Sequence, residues 1–194
     1  KNILEYDLTV ETRGDRKSET IWKLLIGFMF VSLFRGLSFG MTVPFFNVFF
    51  EEELAASTAT IGTIFFLSQG LGVPSAIVAP SLANQFGARV TIVLFRLIGA
   101  LCLGTLGGGQ SLLLGMLVFF VLAAVDSAAT PMEMTFATEK LPRLYWGRLQ
   151  SFRVTGFQLF SAVGSICAGE MIVRVGYGPT WWVGALAILI SGVV

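Results

Sequence analysis

Four charged residues stand inside long apolar runs of this chain, and they are the ones whose chemistry needs explaining: Arg35, Arg96, Asp126 and Glu133. A charge at the centre of a bilayer costs several kcal/mol, so it is retained where it has a task. Arg35 follows Lys23 by about 18 Å of helix, and Asp126 precedes Lys140 by about 21 Å, which puts both near the midplane of an apolar layer. At that depth the two can pair. A carboxylate in low-dielectric surroundings can also take up and release a proton as those surroundings change. The plainer reading is a static ion pair that holds two helices together. Glu133 lies one heptad after Asp126, on nearly the same helix face, but closer to the Lys140 end, where a carboxylate is solvated. It reads as a gate or as an ordinary interfacial residue. Arg96 is about 10 Å inside its run by helical rise, and a long side chain there can snorkel to the interface.

Other polar groups carry weaker signals. Asn47 stands just beyond the break at Pro44, and broken membrane helices are where binding sites are often built. Gln69 and Gln158 are neutral hydrogen-bonders that fit a solute contact or interhelical bonding. Glu170 and Arg174, spaced i,i+4, read as a surface pair. The chain contains no histidine. Ser-His-Asp and Cys-His catalysis are therefore excluded, as are the usual zinc sites. Ser127 beside Asp126 is no dyad, because neighbouring helix positions point apart. Cys102 and Cys167 sit in apolar runs and read as small buried hydrophobes rather than a disulfide. No catalytic residue, metal site or cofactor is expected, and the chain does not read as an enzyme. Its dispersed basic residues do not indicate nucleic acid.

These residues are positioned by apolar helices. Hydrophobic residues make up 55% of the chain and charged residues 13%, about half the charged share of a soluble domain. Residues 1–20 read as a charged, solvated linker, and 21–194 as a bundle of six membrane-crossing helices. The spans run over about residues 22–50, 59–79, 90–106, 112–137 and 152–173, with a sixth from Trp181. That last run stops at Val194, short of the roughly 20 residues a crossing needs, so the chain reads as a fragment with a truncated last helix. Gly107, Gly108 and Gly109 read as a tight turn. Trp181 and Trp182 read as interfacial anchors. Phe45, Phe46, Phe49 and Phe50 read as packing bulk, with an apolar solute cavity as the alternative. Ser161, Gly164, Ser165, Ala168 and Gly169 give small-xxx-small spacing, a helix contact expected against a missing half. One side of the connections collects Arg13, Arg16, Lys17, Lys23, Arg89, Lys140, Arg143, Arg148 and Arg153, while the other has Arg174 and the Glu51-Glu52-Glu53 run. By the positive-inside rule the amino end is cytoplasmic.

The connection Pro80-Ser81-Leu82-Ala83-Asn84-Gln85-Phe86-Gly87-Ala88-Arg89 resembles the G-x-L-A-D-R-x-G-R-R loop of the major facilitator superfamily. Gly87 and Arg89 fit the pattern. Asn84 stands where the family has Asp, Gln85 where it has Arg and Pro80 where it has Gly. The segments Val43–Phe50 with Ser57–Gly62, and Pro131–Met134 with Glu139–Pro142 and Gly147-Arg148, are similar to later junctions of the same family. The resemblance implies an all-α integral membrane protein, the carboxy-terminal six-helix half of a twelve-helix plasma-membrane transporter. The partners it implies are the lipid bilayer, the amino-terminal half and a small organic solute moved by alternating access. It further implies that the first and fourth spans line the central cavity. Asp126 is then the candidate coupling residue, with Arg35 as its counter-ion or as a clamp for an anion, and Asn84, Gly87 and Arg89 form the gating loop. Losing the Asp at Asn84 puts that loop's charge relay in question. The alternative is a non-transporting receptor or scaffold that retains the fold and would tolerate joint apolar replacement of Arg35 and Asp126.

Overall fold

The computed structural model describes residues 2–108 and 111–193, with side chains over 20–108 and 111–192. Every regular element among the described residues is helical: α1 (Asn2–Thr42), a 3-10 turn (Val43–Phe45), α2 (Phe46–Glu52), α3 (Thr58–Phe86), α4 (Ala88–Leu106), α5 (Leu112–Lys140), a second 3-10 turn (Arg143–Tyr145), α6 (Trp146–Val175) and α7 (Tyr177–Val193). Five segments are long and apolar enough to cross a membrane, beginning at Thr20, Thr58, Ala88, Leu112 and Arg143. The sixth, α7, is apolar and 17 residues long. The expected spans are recovered with longer ends. The backbone over 2–20, read as linker, is continuous with α1. Gly107 and Gly108 form a turn, as expected; Gly109 lies outside the described residues.

Local chemistry sets the breaks. Proline has no N–H to donate and clashes with the preceding turn, and α1 ends just before Pro44. Ser57 caps α3 by accepting from Thr60 N at 3.2 Å, which satisfies an otherwise orphaned amide of the first turn. The prolines inside α3, Pro74 and Pro80, do not end that helix. Gly87 alone separates α3 from α4, at φ +86°, and Gly176 alone separates α6 from α7, at φ +83°. Side chains are strained in that region of backbone space, and glycine is not.

The helices pack in the order α6, α1, α7, α4, α5, α3. At the Glu51–Glu53 end the core is aromatic. The Trp181 ring stacks on Phe46 at 5.2 Å, and Phe119 meets Phe46 edge-on at 4.7 Å. Phe46, Phe49 and Phe50 are buried here, so the packing reading holds for them. Trp181 is fully buried instead of anchoring at an interface; of this pair Trp182 is the exposed one, donating from Nε1 to Gly104 O at 3.2 Å. Tyr177 Oη donates to Glu52 at 2.9 Å and ties the start of α7 to the end of α2. Glu52 is exposed, and solvent screens such contacts. Tyr177→Phe should therefore cost about 1 kcal/mol or less. Thermal unfolding of the variant checks this; a cost of several kcal/mol would mean the bond holds the whole outer core.

The closest helix contact joins α1 and α6. The backbones at Gly36 and Gly40 approach the carbonyls of Phe157 and Ser161, and Ser165 Oγ donates to Gly40 O at 3.0 Å. The small-residue face of α6 thus packs against α1 of the same bundle, not against a second half. Large apolar side chains such as Phe66, Ile77, Ile166 and Val173 cover the outer surface of α3 and α6. On a soluble protein such a surface would be a large exposed patch. It suits a lipid environment.

Candidate functional site

Five charged side chains converge in the middle of the bundle, supplied by α1 (Arg35), α4 (Arg96), α5 (Asp126 and Glu133) and α6 (Arg153). Asp126 and Glu133 are seven residues apart and so share one face of α5. Arg96 lies between them. It donates from Nη1 to Asp126 Oδ1 at 2.9 Å, from Nε to Glu133 Oε1 at 2.9 Å, and from Nη2 to the same Glu133 oxygen. Arg35 stands farther off, 3.7 Å from Asp126 Oδ2 and 3.6 Å from Glu133 Oε2. It donates to Thr130 Oγ1 at 2.5 Å, and its guanidinium lies 5.5 Å from the centre of the Phe157 ring. Arg153 Nη2 is 3.6 Å from Glu133 Oε2, while its Nη1 meets the Met134 sulfur at 2.9 Å.

The Arg35–Asp126 pairing expected from helical rise is present. Two other expectations are overturned. Arg96 does not snorkel; it is 2% exposed and turns inward to the carboxylates. Glu133 is not solvated at an interface. It is buried at 7% exposure, with two arginine contacts on its Oε2 side and none at hydrogen-bond length. The reason is the same for both residues. Both side chains project from inward helix faces, where fixed counter-charges offset the cost of taking each charge out of water. Arg153, by sequence one of the connecting cations, enters the cluster from the third turn of α6.

Three cavities meet this cluster. One of about 260 Å³ is lined by Arg35, Asp126, Ser127, Gln69, Ser38 and Thr42. A second, of about 410 Å³ between α1, α5 and α6, has Arg35, Arg153, Thr130, Gln150, Gln158 and Phe157 in its wall. A third, of about 380 Å³ at the basic end, is reached by Glu133 and Arg153 from inside and by Lys23, Arg89 and Lys140 at its rim. Arg35 lines the first and second of these spaces and Arg153 the second and third, while fully buried Arg96 lines none of them.

The remaining candidates lie apart. Asn47 is exposed on α2 and lines none of the three cavities. Asn84 ends α3 on the surface, Gly87 makes the turn, and Arg89 belongs to the rim of the basic cavity. Gln69 and Gln158 each line a cavity wall. Glu170 and Arg174 form the expected surface pair, with Arg174 Nε at 2.5 Å from Glu170 Oε1. Among the described residues no group of His, Cys, Asp and Glu is arranged to hold a metal.

Compared with curated proteins and with solved structures, the chain shows no match. The family described as Major Facilitator Superfamily matches residues 28–194, which takes in most of the first apolar span, all of the later helices and every member of the ion cluster. This chain of apolar helices around a buried ion cluster belongs to the Major Facilitator Superfamily, whose members carry solutes across membranes.

Proposed function

We propose that the protein is a secondary active transporter of a small organic solute, working by alternating access, with Asp126 as the carboxylate that couples proton movement to solute movement. The observation that carries this reading is the placement of Asp126. It lies midway along an apolar helix, with a side chain 41% exposed to cavity space and held by arginines from two other helices. A carboxylate with that much access can exchange a proton, and its arginine partners sense the exchange at once. A purely structural pair needs no such access.

In this reading the chain supplies one six-helix bundle, and a second bundle rocks against it across the cavities lined by α1, α5 and α6. The basic end faces the cytoplasm of a plasma-membrane protein, as the distribution of Lys and Arg favours. The exposed Asn84–Arg89 turn is the gating loop at that end.

The test is Asp126→Asn in the full-length protein, reconstituted in liposomes. The amide keeps the shape and loses the titrating group. Uptake driven by a proton gradient should fall at least tenfold, while solute exchange across the membrane in the absence of a gradient persists. Unchanged gradient-driven uptake would remove Asp126 from the coupling role.

A further inference from the structure

The ion cluster does not balance. Arg35, Arg96 and Arg153 bring three positive charges to the two negative charges of Asp126 and Glu133, which leaves one positive charge over. Distances say where the excess resides. Arg96 makes all the hydrogen bonds that the two carboxylates accept from arginine. Arg35 and Arg153 stay at 3.6–3.7 Å from the remaining oxygens, beyond hydrogen-bond length. Their close contacts are instead to neutral atoms, the Thr130 hydroxyl and the Met134 sulfur. A sulfur is a weak acceptor.

Both under-paired arginines line the same cavity, the one of about 410 Å³ between α1, α5 and α6. Gln150 and Gln158 add amide donors to its wall. The Phe157 ring lies against the Arg35 guanidinium and restricts its orientation. A guanidinium presents its N–H groups as a planar fork that matches the oxygens of a carboxylate or phosphate. A neutral solute would leave the excess charge in place, and a cation would add to it. One negative charge cancels it.

We infer that this cavity holds the oxyanion group of the solute, a carboxylate or phosphate, clamped between Arg35 and Arg153. The inference rests on the transport reading for its biological meaning, since the cavity is taken to be the solute's. Binding itself can be measured without flux. The arrival of the anion also gives Arg35 a partner other than Asp126, which ties solute binding to the residue proposed to carry the proton.

The experiment uses purified full-length protein and follows its thermal unfolding midpoint against increasing lactate, benzoate or glycerol 3-phosphate. Lactamide, benzamide and glycerol serve as neutral counterparts, with sodium chloride at matched ionic strength. The expected result is a saturable rise with at least one anion and none with its neutral counterpart. A carboxylate response without a phosphate response, or the reverse, assigns the oxyanion. Arg153→Gln should weaken that binding roughly ten- to hundredfold, the range for losing a charged hydrogen bond. Three outcomes would overturn the inference: no response to any anion, an equal response to the neutral compounds, or unchanged affinity in Arg153→Gln. Liposome counterflow separates this from the transport reading. Saturable anion binding with no counterflow would sink transport and leave the site standing. Counterflow of neutral or cationic solutes with no anion response would do the opposite.

Discussion

Glu133→Gln will destabilise the protein by about 3–5 kcal/mol, the cost of breaking a buried ion pair from one side, whereas Arg153→Gln will cost about 1 kcal/mol or less. The two substitutions break the same 3.6 Å contact. Glu133→Gln also takes the charge from the contacts to Arg35 and Arg96, and the charge left behind differs. Without Glu133, three arginines face Asp126 alone and the cluster rises to two positive charges in excess. Without Arg153, two arginines face two carboxylates and the cluster becomes neutral. Arg96→Met also neutralises the cluster, but it strips Asp126 Oδ1 and Glu133 Oε1 of their hydrogen-bond donors. Its cost should fall between the other two. Denaturant or thermal unfolding of the three full-length variants ranks them directly. Equal costs for Glu133→Gln and Arg153→Gln would mean that net charge does not govern this site, and the case for an anionic ligand would go with it.

The spans were legible because apolar runs and glycine or proline breaks are local signals, and the resemblance in the connection around Gly87 placed them in a family. The Arg35–Asp126 pair was legible because helical rise alone puts both at one depth. Depth misled for Arg96 and Glu133. It measures distance along a helix and says nothing about which way a side chain faces. The missing signal was angular. Arg96, Gly99, Ala100 and Leu103 fall at i, i+3, i+4 and i+7, the spacing of one helix face, and all four are buried. A charge on a face of otherwise small and apolar residues points inward. Arg153 was hidden for a different reason. A cation near the end of a span contributes to the positive-inside count wherever it points, so the count conceals its partner. Trp181 shows the same limit, because position at a span's end does not by itself imply exposure. Asn47 was favoured for its proximity to Pro44, yet the break turns α2 so that Asn47 faces outward while Phe46 and Phe49 turn in.

Gly40→Ala will destabilise the protein by about 1–3 kcal/mol, the usual cost of overpacking, although alanine is the better helix former by about 1 kcal/mol. A Cβ placed on Gly40 would lie 2.0 Å from the carbonyl oxygen of Ser161, and one on Gly36 would lie 2.2 Å from that of Phe157. Both neighbours are backbone atoms, so no rotamer change relieves the clash and α1 must move away from α6. That crossing also sets the site. Arg35 precedes Gly36, Phe157 supplies the ring against Arg35, and Arg153 lies one turn before Phe157 on α6. Parting the helices therefore widens the gap between the two arginines that bound the anion cavity. Anion affinity should fall along with stability, and a second alanine at Gly36 should deepen both effects. Gly27, on the same helix α1, provides the control, because a Cβ there meets nothing within 4 Å. Gly27→Ala should raise stability by about 0.5–1 kcal/mol through helix propensity alone. Unfolding midpoints of the two alanine variants should move in opposite directions; a rise in both would show that α1 and α6 do not pack backbone to backbone, and the shared wall of the cavity would lose its physical basis.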